Sequence, residues 1–259
     1  MKIAIVQMDI IFGEPEKNFA HVEQYIKEAA KENVDVIVLP EMWNTGYALE
    51  RLDELADQNG EKTQDLISRL AQVHQVNIVA GSVSTKKEDG FYNTMYIANR
   101  NGEIIADYDK AHLFKLMDEH KYLNPGQKMN VFEIDGIKCG GMICYDLRFP
   151  EWTRKHTLSG AQVMFIPAEW PKARIDHWKI LLQARAIENQ CFIVAVNRVG
   201  ADPNNAFNGH SMVIAPWGDL LICNKTEEGI FYTELDINQV SRVRKEIPVY
   251  EDRRVDLYN

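Results

Sequence analysis

The sequence predicts an α/β protein in which two β-sheets pack face to face and helices cover the outside. Three observations carry this expectation. The first 85 or so residues alternate buried-looking strands with amphipathic helices, a β-α-β-α-β order that demands helices against a sheet. Two hairpin signals then interrupt that order, Asn101-Gly102 and Asp135-Gly136, each between apolar runs. After residue 150 the strand–helix alternation returns, so the chain has two similar halves and enough apolar side chains for a sizeable core.

Residues 3–8 (IAIVQM) read as a buried strand, and Phe19, Val22, Ile26, Ala29 and Ala30 recur at helical spacing between Pro15 and Asn33. Val34–Leu39 is a short, nearly continuous apolar run that breaks at Pro40-Glu41. Leu66, Ile67, Leu70 and Val73 mark a second helix, and Asn77–Val83 a further strand. FYNTMYIA and EIIADYD flank the first hairpin turn, VFEI and IKCGGMIC the second. Then come a helix at 151–158, a strand at 162–167, a helix at 175–189, a strand at 191–197 and a hairpin-like region at 209–221. No linker-like stretch or repeat divides the 259 residues, so one domain over 1–259 is expected.

The bulk properties limit the function classes. The formal charge of −9 disfavours a nucleic-acid backbone or an anionic membrane as partner, although a local Arg or Lys can still admit a small anion. No apolar run reaches membrane-spanning length, and the opening Met1–Met8 run is too short for a secretion signal. The four cysteines, Cys139, Cys144, Cys191 and Cys223, lack the spacing of a disulfide framework or of paired zinc ligands. A cytoplasmic protein without metal or organic cofactor is expected.

Three segments each end a strand pattern on a reactive side chain. VDVIVLPEMWNTGY delivers Glu41 where a carboxylate has lost much of its solvent, a setting for a general base, unless Glu41 merely caps the next turn. ADYDKAHLF sets Lys110 between Asp109 and Ala111 with His112 and Phe114 beyond, which can turn the ammonium into a cleft or leave it in water. GGMICYDLRFPE has the form of a strand, a nucleophile and a Pro-started helix. Such an elbow exposes Cys144 and offers the Tyr145 N–H to a developing oxyanion. A buried structural thiol is the alternative, and it suits Cys139, Cys191 and Cys223 better.

Taken together, LPE, DYxKxHLF and CYDxRFPE in this order closely resemble the three signature regions of the nitrilase superfamily of carbon–nitrogen hydrolases. The resemblance runs from IAIVQMD through QARAIENQCFIVAVN and GHSMVIAPWGDLL to IPVYEDRRVDLY. It implies a four-layer α-β-β-α sandwich. It also implies a catalytic set of Glu41 as base, Lys110 as oxyanion stabiliser and Cys144 as nucleophile. The family's second glutamate falls in EHKYLNPG, on Glu119, with Asp118 as the alternative. The histidines, His112, His120, His177 and His210, then default to structural or lining roles.

Within that superfamily the wording NTGY, CYDLRFPEW and IPVYEDRRVDLY resembles the omega-amidase branch, which hydrolyses the terminal amide of alpha-keto acid amides such as 2-oxoglutaramate. A carboxylate-bearing substrate needs a cationic clamp. Arg148 is the first candidate, or else it pairs with a buried acid such as Glu169 and holds the elbow; Arg174 is the second. Tyr47, Phe114, Tyr145, Glu169 and Trp170 are expected to line the pocket with these arginines. Other superfamily substrates, an N-carbamoyl amino acid, an aliphatic amide or a nitrile, remain alternatives, as does a non-catalytic scaffold. The resemblance further implies a homodimer, made through the surface near the nucleophile-bearing helix and a C-terminal arm at about 240–259.

Overall fold

The computed structural model describes residues 1–223 and 225–258. Its first half runs β1 (Lys2–Gln7), α1 (Pro15–Ala30), β2 (Val36–Val38), α2 (Leu52–Leu55), β3 (Asp57–Gln58), α3 (Glu61–His74), β4 (Asn77–Val79), β5 (Val83–Lys87), β6 (Gly90–Ala98) and β7 (Ile104–Asp109). The second half runs α4 (Glu119–Tyr122), β8 (Asn130–Ile134), β9 (Ile137–Gly141), α5 (Pro150–Leu158), β10 (Val163–Ala168), α6 (Ile175–Asn189), β11 (Phe192–Asn197), β12 (Val199–Ala201), β13 (Ala206–Asn208), β14 (Met212–Ile214), β15 (Leu220–Ile222), β16 (Gly229–Glu234) and α7 (Asn238–Glu246).

The strands form an eight-stranded sheet, in the order β16-β1-β2-β4-β6-β5-β3 with β7 on β6, and a six-stranded sheet, β15-β14-β11-β10-β9-β8. Both are mixed: β1, β2 and β4 run parallel, as do β9, β10 and β11, while the hairpins add antiparallel neighbours. Side-chain alternation along β1 assigns the layers. Ala4 and Val6 meet Phe19, Val22 and Ile26 of α1 and Leu66, Ile67 and Leu70 of α3. Ile3 and Ile5, on the opposite face, join Phe165 and Val194 of the second sheet, whose core continues to Trp178, Leu182 and Ala186 of α6. The result is the expected order of helix, sheet, sheet and helix.

Differences from the sequence reading are local. Asn77–Val83 is two strands, because Gly81 adopts φ +58° and a Cβ there would lie 1.8 Å from the Pro40 carbonyl oxygen. That close approach holds the loop carrying Glu41 against the β4–β5 bend, where Ser82 N–H donates to Pro40 O at 3.1 Å. The sequence reading also passed over β16 and α7. β16 closes the edge of the large sheet beside β1, giving the N-terminal strand a partner from the far end of the chain. Part of the expected C-terminal arm is therefore the helix α7, whose Val240 and Val243 are buried. Beyond it, Tyr250 donates its hydroxyl to Asn189 O at 2.5 Å. Asn259 lies outside the described residues. No helix among the described residues is long and apolar enough to cross a membrane.

Candidate active site

Four strand ends bring the reactive groups together. Glu41 follows β2, Lys110 follows β7, Cys144 follows β9 and Glu169 follows β10. The elbow at the cysteine is strained as well as tight. Cys144 has φ +44°, a left-handed conformation that disfavours a residue with a Cβ, and a 3₁₀ turn (Cys144–Arg148) begins on it. That turn leads into α5 through Pro150, whose fixed φ suits a first helical position.

Asp146, buried in the turn, ties the elbow to the Lys110 segment. Its Oδ2 accepts from Ile143 N–H at 2.9 Å and Tyr108 O–H at 2.7 Å; its Oδ1 accepts from His112 N–H at 2.9 Å, with His112 Nδ1 at 2.7 Å. Lys110 lies midway between Tyr108 and His112, so one carboxylate sets the spacing of two reactive segments. His112 is thereby occupied structurally and stacks on Phe149 at 3.8 Å.

Glu41, Lys110 and Glu119 are all fully buried. Lys110 Nζ donates to Glu41 Oε1 at 2.8 Å and to Glu119 Oε1 at 2.6 Å. Glu41 Oε1 also accepts from Asn93 Nδ2 at 2.8 Å, and its Oε2 accepts from Glu169 N–H at 2.7 Å. Glu119 Oε2 accepts from Phe114 N–H at 2.5 Å. Of the two acids that the sequence left open, Glu119 thus meets the lysine, while Asp118 sits half-exposed with Lys121. Tyr47 is placed differently from the expected pocket wall. Its hydroxyl lies 2.9 Å from Glu41 Oε1 and 2.6 Å from Glu119 Oε1, between the two carboxylates.

The electrostatics follow from one cation facing two buried acids. Burial alone would lower the Lys110 pKa, but the Glu119 and Glu41 carboxylates outweigh it and hold the ammonium well above its ordinary range. Burial raises the Glu119 carboxyl, with Lys110 opposing and Glu41 reinforcing the rise. The Cys144 thiol is pushed well above its ordinary value, first by burial and then by the Glu41 carboxylate, against the pull of Lys110. At neutral pH the Cys144 sulfur is therefore a thiol. It is also only 5% exposed, more enclosed than an elbow motif suggests.

Six of the seven residues expected to contact substrate gather at one cavity with Cys144. Phe114, Tyr145, Arg148, Glu169, Trp170 and Arg174 line it together with Pro171. The enclosed space is about 10 Å³, roughly room for one water molecule. Both arginines lie on aromatic faces, Arg148 over Trp170 at 4.8 Å and Arg174 over Phe114 at 5.3 Å. The alternative pairing of Arg148 with Glu169 is not what forms. Arg148 instead reaches His177 Nδ1 at 3.3 Å, and Glu169 Oε2 accepts from Arg198 at 2.9 Å. Arg198 is fully buried and lies in the loop after β11, too far along the chain for the elbow motif to have indicated it. Asn93 and Asp146 also escaped the sequence reading, though both stand inside segments, FYNTMY and CYDLRF, that it had singled out.

Among the described residues no cluster of His, Cys, Asp and Glu has the arrangement of a metal site. Comparison with known proteins agrees with the geometry. The carbon-nitrogen hydrolase family model matches residues 2–245. The chain is 54% identical to the 2-oxoglutaramate amidase of Bacillus subtilis (strain 168), over 99% of this chain and 98% of that protein. It is 32% identical to an omega-amidase of Escherichia coli (strain B / BL21-DE3), over 97% and 96% of the two chains. A CN-hydrolase superfamily protein from Xanthomonas campestris, solved with an arsenic adduct in its active site, superposes with a TM-score of 0.91 at 31% identity, covering 98% of this chain and 97% of that one. With the fold, the order of the reactive segments and these relatives in agreement, the chain belongs to the carbon–nitrogen hydrolase family, in the nitrilase superfamily, and is an amidohydrolase.

Proposed function

We propose that the protein hydrolyses the terminal amide of a short alpha-keto acid amide, 2-oxoglutaramate or 2-oxosuccinamate, to the dicarboxylate and ammonia. The observation that carries this reading is the pairing of a buried Glu41–Lys110–Cys144 set with a cavity whose polar wall holds two arginines. The 54% identity to a 2-oxoglutaramate amidase supports it.

In the proposed cycle Glu41 takes the Cys144 proton as the sulfur attacks the amide carbon, because the thiol is held protonated at rest. Lys110 and the Tyr145 N–H stabilise the oxyanion; one good donor is worth about 3–4 kcal/mol. Glu41 delivers the proton to the departing nitrogen, and ammonia leaves a thioester on Cys144. Glu41 then draws a proton from water as it attacks, and collapse of the second tetrahedral adduct releases the carboxylate and restores the thiol. Glu119 and Tyr47 hold Lys110 and Glu41 in register. The fully buried ion pair keeps the ammonium charged throughout.

The substrate carboxylate is assigned to Arg148 and Arg174, which exchange their aromatic partners for the anion. Replacing either by methionine should raise KM for the keto-amide about tenfold or more, with a smaller change in kcat, since a charged hydrogen bond contributes about 1.5–3 kcal/mol. Unchanged KM in both variants would remove the assignment. The reading as a whole is tested by ammonia release from 2-oxoglutaramate, 2-oxosuccinamate, an N-carbamoyl amino acid, an aliphatic amide and a nitrile. Preference for either of the last three would replace it.

The protein is further proposed to act in the cytoplasm as a homodimer. Ile180 and Ile187 on α6 are 67% and 50% exposed, and Trp217 is 47% exposed, an apolar set on the side of the molecule near the nucleophile-bearing helix. Light scattering at micromolar concentration should give twice the chain mass. Ile180→Glu with Ile187→Glu should return a monomer.

A further inference from the structure

Glu169 is the one acid among the residues lining the cavity, beside two arginines, three aromatic rings, Pro171 and Cys144. It is fully buried, and its Oε1 has no hydrogen-bond partner. Its Oε2 accepts from Arg198, but Arg198 is shared: the guanidinium also donates to Asp9 Oδ1 at 2.8 Å, and Asp9 is half-exposed. One cation thus faces two acids, of which Asp9 meets solvent and Glu169 does not. The inner acid then carries the proton. With Oε2 occupied by Arg198, the proton belongs on Oε1, the atom that lacks a partner.

From this arrangement we infer that Glu169 acts as a neutral carboxylic acid at the substrate's oxygen-rich end. There it donates from Oε1 to an alpha-keto acid oxygen and, once ionised, excludes the anionic substrate. The inference rests on the keto-amide reading above and specifies how the cavity chooses its substrate. A negative Glu169 would set a third charge against the incoming carboxylate; a neutral one adds a donor beside Arg148 and Arg174. Glu169 is a specificity residue here. Its backbone N–H holds Glu41, a contact that side-chain substitution retains.

The charged surroundings agree. Burial pushes the Glu169 carboxyl up to about 8, with Arg198 pulling down and Glu41 and Asp202 adding to the rise. Arg148, Arg174 and Cys144 line the same cavity, the Tyr47 hydroxyl lies within the field of Glu169, and Asp9 reaches it through Arg198.

The test compares KM for 2-oxosuccinamate with that for butyramide, a neutral amide of the same carbon count, between pH 6 and 10; where butyramide turns over too slowly, its competitive inhibition constant serves. Titration of Cys144 or Lys110 affects both compounds and cancels in the ratio. The ratio of anionic to neutral KM should rise about tenfold or more as pH passes about 8, the size of one added like charge at short range. In Glu169→Gln, which keeps a donor but cannot ionise, the ratio should stay flat at its low-pH value. In Asp9→Asn, Arg198 is left to Glu169 alone and the break should move to lower pH. A flat ratio in the wild type, or a break that survives Glu169→Gln, overturns the inference while leaving the keto-amide reading intact. No ammonia from 2-oxosuccinamate or 2-oxoglutaramate in the wild type overturns the reading, and the inference with it. Should Glu169→Gln not fold, the wild-type and Asp9→Asn profiles decide.

Discussion

Replacing Lys110 by methionine should cost the fold about 3–5 kcal/mol and remove activity, because it leaves two fully buried carboxylates without their cation. The pH dependence distinguishes this from loss of packing, since methionine fills much of the same volume. Glu119 is held above its ordinary carboxylate range by burial even with Lys110 present. Without Lys110 the pull in the opposite direction is gone, so its folded pKa rises further. A group whose folded pKa lies above its unfolded one stabilises most fully below the unfolded value, and that contribution is lost as pH rises through the folded value. The deficit of the methionine variant should therefore be smaller near pH 4–5 and larger at neutral pH. Thermal melts of wild type and variant across this range check it. A deficit independent of pH would mean that the ammonium is not what keeps the two acids in place.

Cys144→Ala should lower ammonia release by about 10⁴-fold or more, in the range seen when a covalent nucleophile is removed. Its effect on stability should differ from that of Cys144→Gly. The residue sits at φ +44°, where a left-handed conformation costs an ordinary L-residue about 1–2 kcal/mol. Glycine relieves that cost, so Cys144→Gly should be as inactive as Cys144→Ala yet more stable by roughly 1 kcal/mol. Chemical denaturation of both variants measures the difference. If alanine were the more stable of the two, the elbow would carry no backbone strain. If Cys144→Ala retained ammonia release, Cys144 would not be the nucleophile.

The layers were readable from the sequence because hydrophobic periodicity reports local geometry. Alternation along β1, the helical spacing from Phe19 to Ala29 and the Asn-Gly turn at 101–102 each express one element's own burial. β16 and α7 escaped because what holds them is distant in sequence: β16 pairs with β1 from over 200 residues away, as Lys2 with Glu234, and Arg244 of α7 donates to Gln190 O and Ala161 O. The same division applies to the site. Glu41, Lys110 and Cys144 stand in distinctive strand-end segments, and the Lys110 ammonium lies between the Glu41 and Glu119 carboxylates. Arg198 could not be assigned to Glu169, since residue 198 meets it only after the sheet has folded. Arg148 is nearer in sequence than Arg198, but it lies over the ring of Trp170 and reaches His177 instead. Tyr47 was read as an aromatic surface, although its hydroxyl, between two carboxylates, is the part that matters.

The enclosed cavity beside Cys144 has a consequence for durability. Peroxide and other oxidants attack thiolates that are accessible. Here the sulfur is kept as a thiol and faces space for roughly one water molecule. In the cycle proposed above, Cys144 stays a thiol between turnovers and gives up its proton only as an amide is attacked. Such an enzyme should withstand oxidative stress better without substrate than while turning over, when the cavity must open.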